Sequence, residues 1–169
     1  LASITNPKGA ENLKNDLYSN ARKARHGDAI VDSTKLENNV KNYRNELQKG
    51  GSAPFKTASL KKLDEIEEVA SKGTIPIEEL EKFKISINSL RSGLYEEFKG
   101  NKAGRKLAKS SLDKVSNIVD QSLNEYGKTN PEWEAFYRPA NEVHGAIAQS
   151  HKARNWIGRH MKLIGFPTI

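Results

Sequence analysis

The sequence contains no cysteine, and it has only one methionine and two tryptophans among its 169 residues. The absence of cysteine excludes disulfide bonds, thiolate nucleophiles and cysteine-ligated metal sites, and it fits a reducing compartment. No apolar run approaches the roughly 20 residues that a membrane-spanning helix requires. With 36% hydrophobic and 29% charged residues, the composition is typical of a folded, water-soluble and mostly helical protein.

The chain begins LASITNPKGA, without an initiator methionine and without the charged and apolar segments of a signal peptide. We therefore interpret the sequence as a processed product or as part of a larger protein. Its length is sufficient for one domain with a hydrophobic core or for two small helical lobes.

The net charge of +7 is unevenly distributed along the chain. Residues 1–75 carry 13 basic and 10 acidic side chains, residues 76–98 carry 3 and 5, and residues 99–169 carry 12 and 6. A basic C-terminal half could contact nucleic acid, an anionic membrane surface or an acidic protein. The alternative is a solvated lysine-rich surface without a binding role.

Glycine and proline residues separate three short predicted helices in residues 1–73. The first begins between residues 7 and 11 and ends at residue 25. Its apolar stripe consists of four residues at helical spacing: Leu13, Leu17, Ala21 and Ala24. The second begins at Thr34, where Glu37 three residues later predicts a capping box. The third spans about residues 58–72.

Two longer predicted helices follow, each with apolar residues at heptad-like spacing. The seam of the first, over residues 76–98, is Leu80, Phe83, Ile87, Leu90, Leu94 and Phe98. The seam of the second is Ala108, Leu112, Val115, Val119, Ser122 and Tyr126. Because a short glycine-containing loop joins the two helices, we expect them to form an antiparallel hairpin.

A third long helix is predicted from Asn130 and Pro131 onward, and we expect it to cover the hairpin. Its broad stripe is Trp133, Phe136, Tyr137, Ala140, Val143, His144, Ile147 and Ile157. The stripe keeps its phase across Pro139, which predicts one kinked helix or two helices with a short break. The predicted fold class is an all-α helical bundle without strands. Residues 1–73 form an N-terminal subdomain and residues 74–169 a long-helix bundle, or the two form one continuous domain.

No pattern of residues indicates a catalytic or metal site. His144 and His151 are seven residues apart, whereas zinc ligands on one helix usually lie four apart. The acidic residues fall on polar helix faces among lysines. GNKAGRK, residues 100–106, has the wrong order for a phosphate-binding loop and no preceding strand, so it is interpreted as a turn. We expect no enzymatic activity, no cofactor and no small-molecule substrate.

Two basic clusters are the candidate binding residues for nucleic acid. They lie at the ends of the first and last predicted helices: Arg22, Lys23 and Arg25, and Lys152, Arg154 and Arg159. Trp156 could provide a stacking surface beside the second cluster. The structural alternative is that these cations stabilise the negative ends of helix dipoles. Trp133, Phe136 and Tyr137 are interpreted as a core aromatic cluster rather than a binding cage.

Residues 74–157 resemble helical segments in the large internal or DNA-ejection proteins of tailed bacteriophages. In those segments a proline-led helix with an arginine near its end precedes a second helix and then a helix containing W, Y and AN. The matching positions are Pro76, Leu90, Arg91, Trp133, Tyr137, Ala140, Asn141 and the run 146–150. No counterpart of the catalytic glutamate motif of their lytic domains is identifiable.

The resemblance implies a non-enzymatic structural or interaction module, with other virion proteins or a second copy as partners and with DNA nearby. It further implies a location in the virion interior or the host cytoplasm. Two alternatives remain open from the residues alone. One is a non-specific nucleic-acid-binding helical domain, and the other is an effector or enzyme accessory domain.

Overall fold

The computed structural model describes the backbone of residues 7–26, 28–51 and 53–163 and the side chains of residues 8–26, 28–51 and 53–148. The predicted all-α class is confirmed. The helices are α1 (Pro7–Ala24), α2 (Thr34–Gln48), α3 (Thr57–Ala70), α4 (Ile77–Ser92), α5 (Leu94–Glu97), α6 (Lys102–Thr129) and α7 (Pro131–Leu163). A 3-10 turn at Pro54–Lys56 precedes α3, and two strands, β1 (Ile30–Asp32) and β2 (Thr74–Pro76), complete the described elements.

The chain forms two compact units. Unit 1 comprises residues 1–26 and 130–169 and contains α1 and α7, whereas unit 2 comprises residues 27–129 and contains the remaining elements. The sequence-based division at residue 73 grouped the first helix with the second and third. The contacts in the structure group it with α7.

Unit 1 is packed through aromatic side chains. On α7, Trp133, Tyr137 and Ala140 are buried at positions i, i+4 and i+7, which lie on one helix face. The rings of Trp133 and Tyr137 are stacked with centroids 4.2 Å apart. The ring of Tyr18 on α1 meets that of Tyr137 edge-on at 5.8 Å, and its hydroxyl donates to Asn141 Oδ1 at 2.6 Å.

Two predictions about unit 1 have clear outcomes. Of the two forms predicted for the helix around Pro139, the structure has the continuous one, because α7 includes this proline without interruption. Leu13 belongs to the predicted apolar stripe of the first helix, but its side chain is 52% exposed. On α1, Ala21 is fully buried and Leu17 is half-buried, so the buried face lies nearer the C-terminal half of the helix.

The predicted antiparallel hairpin is present in unit 2. Contacts join Lys84 to Asp120 and Arg91 to Asp113, so residue numbers rise along α4 as they fall along α6. Most side chains of the two predicted seams are fully or nearly fully buried: Leu80, Phe83, Ile87, Leu94, Phe98, Ala108, Leu112, Val115, Val119 and Tyr126. The predicted Ser122 is half-buried, and the neighbouring Leu123 is the fully buried residue. Helices α2 and α3 pack on α6, and the described packing partner of α7 is α1. The expectation that the tryptophan-containing helix covers the hairpin concerns α7 of unit 1 and the hairpin of unit 2, and it stays a prediction.

The expectation of a fold without strands was wrong. Strands β1 and β2 pair antiparallel, with Val31 opposite Ile75 at the centre. Three-residue strands are too short to produce the alternating pattern on which strand prediction depends. The pairing extends at both ends through backbone hydrogen bonds, from Ser33 N to Gly73 O and from Ile77 N to Ala29 O. It thereby fixes the entry of α2 beside the entry of α4.

The predicted capping box at Thr34 is also wrong. The N-cap residue of α2 is Ser33, and no side chain of this residue caps the helix. The buried hydroxyl of Ser33 instead donates to the carbonyl of Ala70, the last residue of α3, at 2.6 Å. The helix predicted over residues 76–98 is interrupted at Gly93, which separates α4 from the single turn α5.

Candidate functional site

The predicted basic cluster on α1 is partly available to a ligand. Arg22 and Lys23 are exposed in the last turn of this helix. Arg25 is half-buried, and its guanidinium donates to the carbonyl of His26 at 3.4 Å. The second cluster, Lys152, Arg154 and Arg159, lies in α7, but its side chains fall outside the described residues, as does Trp156. Whether the two clusters form one surface therefore stays a prediction.

The aromatic residues predicted as a core cluster are packed rather than open. Trp133 is 2% exposed and Tyr137 is 6% exposed, while Phe136 is half-buried. A cage for a cationic ligand requires accessible aromatic faces. In unit 1 the face of Trp133 is occupied by the ring of Tyr137.

The most elaborate polar arrangement lies beside the apolar seam between α4 and α6. We call it the interhelix network, and its members are Lys84, Asn88 and Arg91 from α4 and Asp113, Ser116 and Asp120 from α6. On each helix they are spaced three and four residues apart, so they line one edge of the buried stripe. Lys84 Nζ donates to Ser116 Oγ at 2.6 Å and to Asp120 Oδ2 at 2.9 Å. Arg91 donates to Asp113 Oδ1 at 2.7 Å and also to Asn88.

The contact between Lys84 and Ser116 has the composition of a serine–lysine nucleophile pair. Two features argue against this chemistry. In a nucleophile pair the serine hydroxyl donates to the lysine, whereas here Lys84 Nζ donates to Ser116 and pairs with the carboxylate of Asp120. Ser116 is 2% exposed, so a substrate could not reach its hydroxyl without separation of the helices. The network is therefore suited to fixing the register of α4 against α6.

Asp113 sits at the end of this network between two cations. Burial is the largest single influence and raises the pKa of its carboxyl. Hydrogen bonds from Arg91 and Lys109, together with their charges, outweigh that effect and hold the pKa below its ordinary value. The group thus remains a carboxylate, which suits an ion pair and not a proton donor.

Two lysines are buried in unit 2, and the sequence analysis did not identify either. Lys56 is 8% exposed and donates to the carbonyls of Leu47 at 2.6 Å and Gly51 at 3.0 Å, which satisfies the C-terminal end of α2. Lys62, also 8% exposed, donates to Glu65 and to Ser86, each at 2.5 Å. Each ammonium group makes two hydrogen bonds within the fold.

A buried hydroxyl cluster joins α2, α3 and α6. Ser59 Oγ and Ser111 Oγ are 2.7 Å apart, and the hydroxyl of Tyr43 donates to the carbonyl of Ser111 at 3.3 Å. Burial, with a smaller contribution from the charge of Glu46, raises the pKa of Tyr43 to about 12. Because water does not reach these groups, they form hydrogen bonds with one another, as buried polar groups usually do.

A different surface emerges where α5 ends and α6 begins. The sequence analysis interpreted residues 100–106 as a turn, but only the first residues form one, and α6 begins at Lys102. The side chain of Asn101 accepts from the backbone N–H of Gly104 at 2.9 Å and so starts the helix. Residues 99–109 contain five cations and no acidic residue, and this local count was the signal available in the sequence.

Four of these cations form what we call the cationic stripe: Lys102, Arg105, Lys106 and Lys109. At 3.6 residues per turn they fall within an arc of about 100° on one side of α6. Lys102 and Lys106 are exposed and have no acidic partner among the described residues. The guanidinium of Arg105 lies over the ring of Tyr95, 5.1 Å from its centroid, and Tyr95 is itself 55% exposed.

The described part of the chain lacks two other features, a candidate metal site and a membrane-spanning helix. No group of three or more His, Asp or Glu side chains there could hold a metal ion. None of the helices in the described residues combines the length and apolar character needed to cross a bilayer. Comparison with protein-family models, with curated proteins and with solved structures finds no match.

Proposed function

We propose that this chain is a non-enzymatic helical module that acts through protein contacts within a larger assembly. The observation that carries this proposal is that polar side chains along α6 are engaged in contacts with other helices of unit 2, as in the pairs of Asp113 with Arg91 and of Glu125 with Lys35. The pKa is lowered for Asp113 and Glu125 and raised for Tyr43, so each group keeps its ordinary protonation state at neutral pH. A general acid or base needs a pKa near the working pH.

The same three groups all connect α6 to another helix. Asp113 binds Arg91 of α4, Glu125 binds Lys35 of α2 at 2.9 Å, and Tyr43 of α2 binds the backbone of α6. Perturbed ionisable groups mark functional sites in some proteins and ion-pair networks in others. Their use here as connections between helices supports a structural role.

We propose self-association as the first form of partner contact, through the outer face of α4. Ile85 is the most exposed of the large hydrophobic side chains in the described residues, at 66%. It lies between the exposed residues Lys82 and Ser89 on the side of α4 that faces away from α6. A second copy packing on this face would bury Ile85 at the centre of a polar rim, as in other interfaces.

We further propose that the assembly is the interior of a tailed-phage virion. The support is the resemblance described above, which includes Arg91, Trp133 and Tyr137. In the structure these three residues have packing roles, since Arg91 belongs to the interhelix network and the two aromatic rings stack in unit 1. The resemblance therefore concerns how helices pack, and it supports a scaffold rather than a chemical site.

Sedimentation velocity over a range of protein concentrations tests the self-association. We expect concentration-dependent association that Ile85→Glu abolishes. The matched control is Leu107→Glu, which introduces the same charge at an exposed apolar residue of another helix, α6, and should leave the association intact. A monomer at every concentration, or equal losses in the two variants, would contradict this proposal.

Non-specific nucleic-acid binding through the helix ends is the alternative function. The observation in its favour is the exposure of Arg22 and Lys23 in the last turn of α1. The double reversal Arg154→Glu and Arg159→Glu separates the alternatives, since it should abolish nucleic-acid binding of this kind and leave self-association intact. The salt dependence of binding would then follow the number of phosphates neutralised.

A further inference from the structure

We propose that the cationic stripe and Tyr95 form a binding surface for single-stranded nucleic acid. This surface is separate from the helix-end clusters considered above, and it does not depend on the proposed self-association.

Most of the other cations of unit 2 have acidic partners. Lys35, Lys41, Arg44, Lys62, Lys82, Lys84, Arg91 and Lys114 each lie within ion-pair distance of a carboxylate. On the stripe, only Lys109 has one, Asp113 at 3.0 Å, and that carboxylate is shared with Arg91. The neighbouring Lys99 has a distant and exposed pair with Glu96, at 3.9 Å. The stripe is therefore a concentration of positive charge that the fold itself does not neutralise.

The usual structural explanation for such cations fails here. Lysines and arginines in the last turn of a helix stabilise its negative end, which accounts for Arg22 and Lys23 on α1. Lys102, Arg105 and Lys106 lie in the first turns of α6, where no acidic residue is present in the first turn. Cations at this end oppose the helix dipole. Their placement costs stability, so a role outside folding explains it better.

The spacing of the stripe and the neighbouring aromatic residue provide further support. The stripe extends over seven residue steps, or about 10 Å along the helix. That length matches about three phosphates of one strand when its bases are stacked at the 3.4 Å axial spacing that each strand has in a duplex. Tyr95 adds an exposed ring beside the stripe, and the cation above it, Arg105, can itself stack on a base. A cationic track with an aromatic platform is the arrangement by which proteins bind single strands without reading sequence.

Fluorescence anisotropy with a labelled oligo(dT) strand at several salt concentrations tests the proposal. We expect binding with a slope of log K against log [salt] of about −2, which corresponds to three phosphates on a single strand. The double variant Lys102→Glu and Lys106→Glu should weaken binding at low salt by roughly tenfold or more and reduce the slope by about 1.4.

The matched charge control is Lys61→Glu with Lys72→Glu. Both lysines are exposed in unit 2 and have no acidic partner among the described residues. Because this variant also replaces two lysines by glutamates, it changes the net charge by the same amount. We expect this variant to bind oligo(dT) nearly as well as the wild-type chain. Equal losses in the two double variants would mean that net charge alone attracts the strand, and would overturn the proposed surface.

The tyrosine provides a second test that charge alone cannot explain. Tyr95→Ala should weaken oligo(dT) binding by roughly tenfold through loss of base stacking, whereas Tyr95→Phe should retain it. A duplex of the same length and heparin serve as other polyanions, and neither should respond to Tyr95→Ala. Wild-type affinity in the alanine variant would overturn the single-strand proposal in favour of general polyanion binding.

Folding controls keep these outcomes interpretable. Because Lys102→Glu and Lys106→Glu place anions at the favourable end of α6, thermal denaturation should show an equal or higher Tm than the wild type. A variant that is as stable as the wild type but does not bind supports the surface. No binding to oligo(dT) even at low salt, or loss only with Arg22→Glu and Lys23→Glu, would overturn it.

Discussion

The two compact units are stabilised by different kinds of contact. In unit 1 the described packing between α1 and α7 centres on three aromatic rings, Tyr18, Trp133 and Tyr137. In unit 2 the core is mostly aliphatic and is spread over five helices, with the interhelix network and buried lysines at its edges. Its buried rings, Tyr43, Phe83, Phe98 and Tyr126, are distributed among many aliphatic side chains. A few large rings can hold two helices together, but the arrangement then depends on each ring. Where many smaller contacts stabilise the packing, no single side chain is essential. Polar groups can then fix the register of one helix against another.

The largest effect is expected from removal of Trp133, the most completely buried ring of unit 1. Trp133→Ala should lower the free energy of unfolding of this unit by about 3–5 kcal/mol, because truncation of a buried tryptophan loses transfer energy and leaves a cavity. Hydrogen-exchange mass spectrometry can follow each unit through its own peptides. We expect faster exchange in residues 131–148 and little change in residues 77–92. Equal loss of protection in both would contradict the idea that unit 1 depends on its own rings.

The corresponding change in unit 2 is Leu112→Ala. This side chain is 1% exposed in the α6 seam, and its truncation should cost about 2–4 kcal/mol. Because neighbouring aliphatic side chains can partly close the space, we expect a smaller loss than for Trp133→Ala. Urea denaturation monitored by circular dichroism would measure it. The exposed Leu107, five residues earlier on the same helix, is the matched control, and its replacement by alanine should change stability by no more than about 0.5 kcal/mol.

The difference between the units also explains what the sequence could predict. Periodic apolar residues identified α4, α6 and their antiparallel pairing, since burial on one face imposes helical spacing. The same reasoning failed for Leu13, which has the correct spacing on α1 but is exposed. Periodicity defines a stripe and does not define which helix covers it. Within unit 2, α2 and α3 pack on α6, and the periodicity alone did not identify these pairings.

The candidate surfaces were less predictable for a related reason. The sequence analysis selected cations by their position at helix ends, which found Arg22 and Lys23. It overlooked Lys102 and Lys106 because their significance depends on the lack of nearby acidic partners, and partners distant in sequence are visible only in the fold. The ion pair between Lys84 and Asp120 illustrates this, because its members are 36 positions apart in the sequence.

A third change separates the polar network of unit 2 from its apolar core. Arg91→Met should cost about 1–2 kcal/mol, because the pair with Asp113 is only partly buried and solvent already screens it. The pKa of Asp113 is held below its ordinary value, so its contribution to stability is present above about pH 4 and is lost as the pH falls through the lowered pKa.

Denaturation of wild-type and Arg91→Met chains between neutral and acidic pH would show this contribution directly. The wild-type chain should lose its advantage over the variant as Asp113 becomes protonated. The control is Arg105→Met, which removes an arginine of the same unit that has no carboxylate partner among the described residues. A constant difference between wild type and Arg91→Met at all pH values would mean that Arg91 stabilises the fold by packing alone.

The smallest expected effect is that of Tyr43→Phe, which keeps the ring and removes one long hydrogen bond to Ser111. Near neutral pH the cost should be about 0.5–1.5 kcal/mol. The pKa of Tyr43 is raised from 10.0 to about 12, so its contribution is complete below pH 10 and is lost as the pH rises through about 12. The variant cannot ionise at this position and should therefore approach or exceed wild-type stability in that alkaline range. If the two chains lost stability in parallel there, the buried hydroxyl cluster would not be the part of unit 2 that limits its tolerance of high pH.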